Sequence, residues 1–388
     1  MDKLRTEFKK SKKEILFSAL FFIIIAILIF IPTGFEKNIY VNAEGVRAKI
    51  IAVDNTSIYN TGMINQGEQT ATIKILSGNH KGKEIQGTNM LTGKLELDKF
   101  FEPGDTAWVL IEQDSSGKII FANLIDHYRI GNEILLVSTF TVLLIIFSGF
   151  TGVRTLLSFL FALLSIWKIL IPLMLKGYSP ILVSLFVGNA LTITTLLLVG
   201  GFTKKSYAAI ISSISCSFIT AITALAFGHI FEINGAVMQW SESLIYAGFK
   251  NLDLTGILYG GIYLASSGAI LDLAIDISSA LEEIQINHPK VSRKSLFDSG
   301  IRIGKSVVGS QTTTLLLAYM GSYISVMMVY MAQGTNIITI FNSKPIAAEV
   351  LHTFVGCIGL VLVSPLTSLV SSIYFTQVDK TDDIKISA

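Results

Sequence analysis

The chain has 388 residues, of which 51% are hydrophobic and only 15% charged, with a formal net charge of +2. Ordinary soluble chains carry about 25% charged residues, so disorder, a coiled coil and a purely soluble enzyme are excluded as descriptions of the whole chain. A charge so close to neutral gives no argument for nucleic acid as a partner, and the composition points to a polytopic membrane protein.

A membrane-spanning helix needs about 20 mostly apolar residues. Eight segments meet that requirement: Ile15–Pro32, Ile134–Phe150, Leu156–Leu175, Ile181–Gly200, Ala208–Phe227, Leu254–Ile275, Ser306–Met331 and Val350–Ile373. Lys3, Arg5, Lys9, Lys10, Lys12 and Lys13 precede the first. Eight crossings return Arg154, the Lys204–Lys205 pair, and Lys290, Arg293 and Lys294 to that same side. The opposite loops carry only Lys176, Lys250 and Lys344. Basic residues mark the cytoplasmic side, so both termini are expected there. The basic start also fits a cleaved signal peptide. Its apolar stretch is longer than usual for one, and no small-x-small site precedes Gly34, which favours a retained anchor.

The domain plan is then a basic N-terminus and first span (1–33), an extracytoplasmic domain (34–129), seven further spans (130–376) and a cytoplasmic tail (377–388). Segments of the second part alternate apolar and polar residues, as half-buried strands do. Strands are predicted at Val46–Val53, Thr70–Leu76, Glu84–Leu91, Ala107–Gln113 and Lys118–Ile125. Turn signals at Ser77-Gly78-Asn79, Pro103-Gly104-Asp105 and Ser115-Ser116-Gly117 separate several of them. The spacing predicts a small all-β, OB-like barrel inserted between the first and second membrane helices. It suits either ligand or partner capture, or a cap over the helices. Asp126-His127-Tyr128 resembles a metal corner, but one histidine beside one carboxylate reads better as a juxtamembrane connection.

Inside the membrane the informative residues are polar, because burying charge there is costly. The sixth segment places Gly256, Gly260, Gly268, Asp272 and Asp276 on one four-residue series, a single helix face. Gly261 broadens that stripe, and these glycines are candidate helix-packing positions. Asp272 and Asp276 either hold a cation or proton in a polar cavity, or pair with Arg302 or Lys305 at the membrane surface. The seventh segment opens with Ser306, Ser310, Gln311, Thr312, Thr313 and Thr314, level with Asp272 if the two helices run antiparallel. Oxygen-rich side chains beside carboxylates suit small cations, and they also serve as interhelical hydrogen-bond glue. The eighth segment adds Ser364, Thr367 and Ser368, with Pro365 positioned to break the helix. Candidate ligand- or ion-binding residues are therefore Asp272, Asp276, Ser310, Gln311, Thr312, Thr314 and Thr367. Glu349 and His352, three residues apart, read either as a proton shuttle or as interfacial groups at a helix start. In the fourth segment Asn189, Thr192 and Thr194 are candidates to line the same cavity, and Lys168 in the third is expected to snorkel outward.

No phosphate-cradling loop, nucleophile elbow, paired metal-spaced histidines or nucleic-acid signature is visible. Cys216 and Cys357 both fall in apolar runs, so neither a disulfide nor a thiolate metal site is indicated. The expectation is a non-enzymatic membrane protein without a cofactor. It would be a transporter or permease for a small solute or ion, with an inner-half polar cavity between the last three helices. The alternative is a scaffold or assembly subunit that holds a partner through its outer domain.

The stretches GNHKGKEIQGTNML, EPGDTAWVLIEQD and DHYR of the first half resemble the YibE/F-like family of bacterial multi-pass membrane proteins. So do YGGIYLASSGAILDLAIDI, RIGKSVVGSQTTTLLLAYMGS and EVLHTFVGCIGLVLVSPLTS of the second. That resemblance implies the eight-span layout, the bacterial plasma membrane and a heteromer with a second family member. It implies no particular activity. Where the family pattern has Met and Asn before LLLAY, this chain has Gln311-Thr312-Thr313.

Overall fold

The computed structural model describes the backbone of residues 2–35 and 42–386, and the side chains of 13–35, 42–321 and 323–376. Lys3, Arg5, Lys9, Lys10 and Lys12, and the side chains of the 377–388 tail, lie outside the described side chains. The chain divides into two compact units, Met1–Phe35 with Ile145–Ala388, and Glu36–Leu144.

The second of these units contains a closed five-stranded barrel. Its strands are β1 (Ala43–Asn60), β2 (Asn65–Ile75), β3 (Glu84–Thr92), β4 (Thr106–Gln113) and β5 (Ile119–His127), in the order β1-β2-β3-β5-β4. Neighbours pair antiparallel except β3 with β5. All five predicted strands are present. β1 runs seven residues past the predicted Val53, because Ser57–Asn60 pair with Asn65–Glu68 in an extended hairpin. At its root Gly67 has φ +117° with the Ser57 carbonyl directly against it, which only glycine accommodates. The alternation seen in the sequence is the alternation of burial. Val46, Ala48 and Ile50 of β1 face Ala71, Ile73 and Ile75 of β2, with Val109, Ile111 and Leu124 completing the core.

The helical unit is built from long apolar helices. They are α1 (Asp2–Phe30), α2 (Ile130–Ser165) running through a π turn into α3 (Ile171–Leu175), α4 (Pro180–Gly200), α5 (Lys204–Ile230) and α7 (Leu254–Asn287). α8 (Arg293–Ala332) and α10 (Lys344–Ile386) complete the set. Short α6 (Ser241–Tyr246) and α9 (Ile337–Asn342) lie in the connections. Among the described residues six helices are long and apolar enough to cross a membrane, or up to seven if the pair Arg293–Gly321 and Tyr323–Ala332, bent by 64°, is one span. The second and third predicted spans are joined in one stretch of 46 residues, Ile130–Leu175. At 1.5 Å per residue that is about 69 Å, more than twice the hydrocarbon thickness. It is interrupted at Gly149, whose φ of 55° and ψ of −130° are not helical. Pro365 does not break α10, which continues through it.

Packing of α7, α8 and α10 depends on small residues. Gly260 approaches Ser184 of α4, and Gly188 of α4 approaches Tyr263. Gly300 and Gly304 of α8 seat Ser368 and Ser364 of α10. This is a small-xxx-small contact, carried by the GIRIG run that the sequence reading passed over. Of the glycines expected to pack, Gly256 is buried beside its own N-cap Asp253, whereas Gly261 and Gly268 have nothing within 4 Å.

Candidate functional site

The α7 face opposite its core explains where the two aspartates go. Ile270, Leu273, Ala274, Ile277 and Leu281 are fully buried. Gly261, Ala265, Gly268, Asp272 and Asp276 form the exposed stripe on the other side. No oppositely charged group pairs with either carboxylate among the described residues.

The hydroxyls of α8 are self-satisfied. Ser310 donates to the Val307 carbonyl at 3.0 Å, Thr312 to Val308 at 2.9 Å and Thr314 to Ser310 at 3.1 Å. Ser310 and Thr314 are exposed and Gln311 is half-buried. Thr367 is fully buried and donates to Ser212 of α5 at 3.0 Å, an interhelical bond of the glue type. Among the described residues no contact unites these side chains with Asp272 around a common point. Thr192 and Thr194 are buried in α4, and Lys168 donates to the Ile31 carbonyl at the end of α1.

A polar set that does converge lies where α7, α8 and α10 meet. A side chain at Gly356 of α10 would touch Leu315 and Tyr319 of α8 and Ser266 of α7, so the three helices meet there. Toward the start of α10, His352 and Glu349 face α8, with Thr353 one turn from Glu349 on the same helix. The His352 ring stacks on Tyr319 with centroids 4.0 Å apart and 27° between planes. Its Nδ1 lies 3.7 Å from Glu349 Oε2. Tyr323 is also within electrostatic reach of Glu349. Glu349 is only 6% exposed and Thr353 2%. The carboxylate read as interfacial is therefore buried, because α10 starts at Lys344 rather than at Val350 and carries Glu349 inside the bundle. The available signal was the three-residue spacing of Glu349 and His352, with an aromatic-rich helix to receive them.

In the barrel, Asp126 pairs with Arg129 at 2.8 Å and accepts the His127 backbone N–H. The Arg129 guanidinium, bonded to it, holds the Asp126 carboxyl below the ordinary carboxylate range. His127 packs on Phe101 and lies 3.8 Å from Asp105. These contacts are structural, and no group of three metal-ligating side chains occurs among the described residues.

Two family models match the chain. One, described as YibE/F-like protein, covers residues 136–377. The other, described as the YibE/F family N-terminal domain, covers residues 40–137. No curated protein and no solved structure matches it.

Proposed function

The chain belongs to the YibE/F-like family, and on that premise we propose that it is a bacterial plasma-membrane transporter or permease for a small solute or ion. The observation that carries this reading is the buried Glu349 carboxyl beside the half-buried His352, whose ring stacks on Tyr319 within a helical unit of long apolar helices. An ionisable group in such a place is expensive, and the usual return is a substrate or ion path.

The proposed layout has eight spans, with the Ile130–Leu175 stretch crossing twice about Gly149, both termini cytoplasmic and the barrel outside. Three contacts within the helical unit support it. Arg154 bonds Glu14 of α1 and the last carbonyls of α4, which brings three expected cytoplasmic ends together. Lys205 pairs with Glu282 at 3.7 Å, adding the end of α7. Lys168 reaches the other end of α1.

The test uses the full-length chain in sealed vesicles, with light scattering recorded after an osmotic upshift imposed by a panel of small neutral and ionic solutes. Re-swelling faster than in empty vesicles is expected for at least one solute, and should be lost in Glu349→Gln. Equal rates with and without protein across the panel would remove the transport reading.

A second reading has its own observation. Exposed Asp272 and Asp276 beside Gly261, Ala265 and Gly268 form a polar, small-residue face that none of the described residues covers. Polar side chains in membrane helices usually face protein, so this face favours a scaffold or heteromer in which a second family member packs against α7.

A further inference from the structure

The junction of α7, α8 and α10 has unmet demands of one kind. Glu349 Oε1, His352 Nε2 and Thr353 Oγ1 are buried and have no hydrogen-bond partner. A carboxylate oxygen accepts only. A neutral imidazole accepts at one nitrogen, and a hydroxyl offers lone pairs whatever its proton does. The set thus offers lone pairs from a carboxyl group and a hydroxyl, with the imidazole beside them.

Among the described residues, the titratable groups that face Glu349 are His352 on α10 and Tyr319 and Tyr323 on α8. From α7 the nearest polar neighbour of this junction is Ser266, which carries no charge. The ion-pair partner of Glu349 among the described residues is His352, a cation only when protonated. A buried carboxylate compensated so weakly is costly unless positive charge is supplied.

We propose that this junction is a binding site for a small monovalent cation, held by the Glu349 carboxylate and the Thr353 hydroxyl, with His352 completing the cup and Tyr319 orienting its ring. A single carboxylate fits a single charge, whereas calcium-type sites gather several carboxylates among six to eight oxygens. The inference rests on the transport reading and names its substrate class. Gly356, a turn beyond Thr353, lies where a side chain would press on Leu315 and Ser266.

The test is the apparent unfolding temperature of the purified full-length chain, titrated with sodium, potassium, lithium and ammonium chloride. Choline chloride keeps ionic strength constant. Binding to the folded state raises stability by mass action. A saturable rise with at least one cation is expected, lost in Glu349→Gln and retained in Asp272→Asn. Thr353→Val keeps volume while removing one oxygen, and should weaken the midpoint about tenfold or more. It decides the matter if Glu349→Gln fails to fold. No rise over choline, or a rise undiminished in the Glu349 and Thr353 variants, would overturn the site. Saturable binding without vesicle flux would leave the site standing and remove transport. Flux indifferent to these cations would do the reverse.

Discussion

Replacing Arg154 with alanine is expected to cost about 3–5 kcal/mol of stability, the range for breaking a buried ion pair from one side. The Arg154 side chain is 9% exposed and its partner Glu14 21%. One guanidinium serves three acceptors. Nη1 donates to Glu14 Oε2 at 2.8 Å, Nη2 to the Val199 carbonyl at 3.0 Å, and Nε to the Leu198 carbonyl. Those carbonyls belong to the last turn of α4, where a helix has no partners of its own for them. The helix stops there because Gly201 turns out at φ +71°. Alanine would leave a carboxylate and two carbonyls unmatched at one point. Thermal unfolding of the purified full-length chain should show a large drop for Arg154→Ala. Arg129→Ala, which breaks an ion pair whose side chains are 56% and 47% exposed, should cost no more than about 1 kcal/mol. Equal effects from the two variants would mean that the Arg154 clasp holds nothing together.

In the barrel, Gln69→Leu should cost about 2–5 kcal/mol, since an unsatisfied buried polar group costs about 1–3 kcal/mol and several would be created. Gln69 is fully buried. Its Oε1 accepts from the Phe101 N–H at 3.0 Å and from Asn89 Nδ2 at 3.1 Å. Its Nε2 donates to the Phe101 carbonyl at 3.0 Å and to Asn55 Oδ1 at 2.9 Å. One side chain thus seats the 99–105 loop and plugs Phe101, 1% exposed, into the core. Leucine matches the size but leaves the Phe101 N–H and carbonyl without partners and removes one of the two acceptors of Asn89 Nδ2, which keeps the Lys99 carbonyl at 2.6 Å. Trp108 of β4 is a convenient fluorescent reporter of barrel unfolding in the full chain. A midpoint unchanged from wild type would show that the carboxamide bonds are replaceable by water.

Much of this architecture was legible beforehand for simple reasons. The strands of the barrel bury every second residue, so alternation located all five to within a few residues, apart from the extension of β1. That extension depends on Gly67 and the Asn60–Asn65 turn, which carry no alternation to read. Apolar length likewise located the long apolar helices, and the break expected between Phe150 and Leu156 falls next to Gly149, where one stretch of 46 residues is interrupted without a loop. Azimuth was harder to read. The α7 sequence offers two faces, one of bulky Ile and Leu and one of Gly, Ala and Asp, and the bulky face went inward. Small residues were expected to seat a neighbour, yet Gly261 and Gly268 seat none in this chain, whereas Gly300 and Gly304 do. The burial of Glu349 was hard to read for a different reason. Hydropathy marks where an apolar run begins, not where the helix does, and α10 begins six residues before Val350.

The central claim is that the Glu349 junction belongs to a path across the membrane and not to a sealed core. Its most direct test is the reactivity of Thr353→Cys, with Cys216 replaced by serine and Cys357 by alanine, toward a small cationic, membrane-impermeant thiol reagent. The full-length protein would be reconstituted in sealed vesicles, with reagent added to each side in turn. Modification from at least one side is expected if the junction lines such a path. A thiol inert from both sides, in a variant that folds and that reacts fully once denatured, would contradict it.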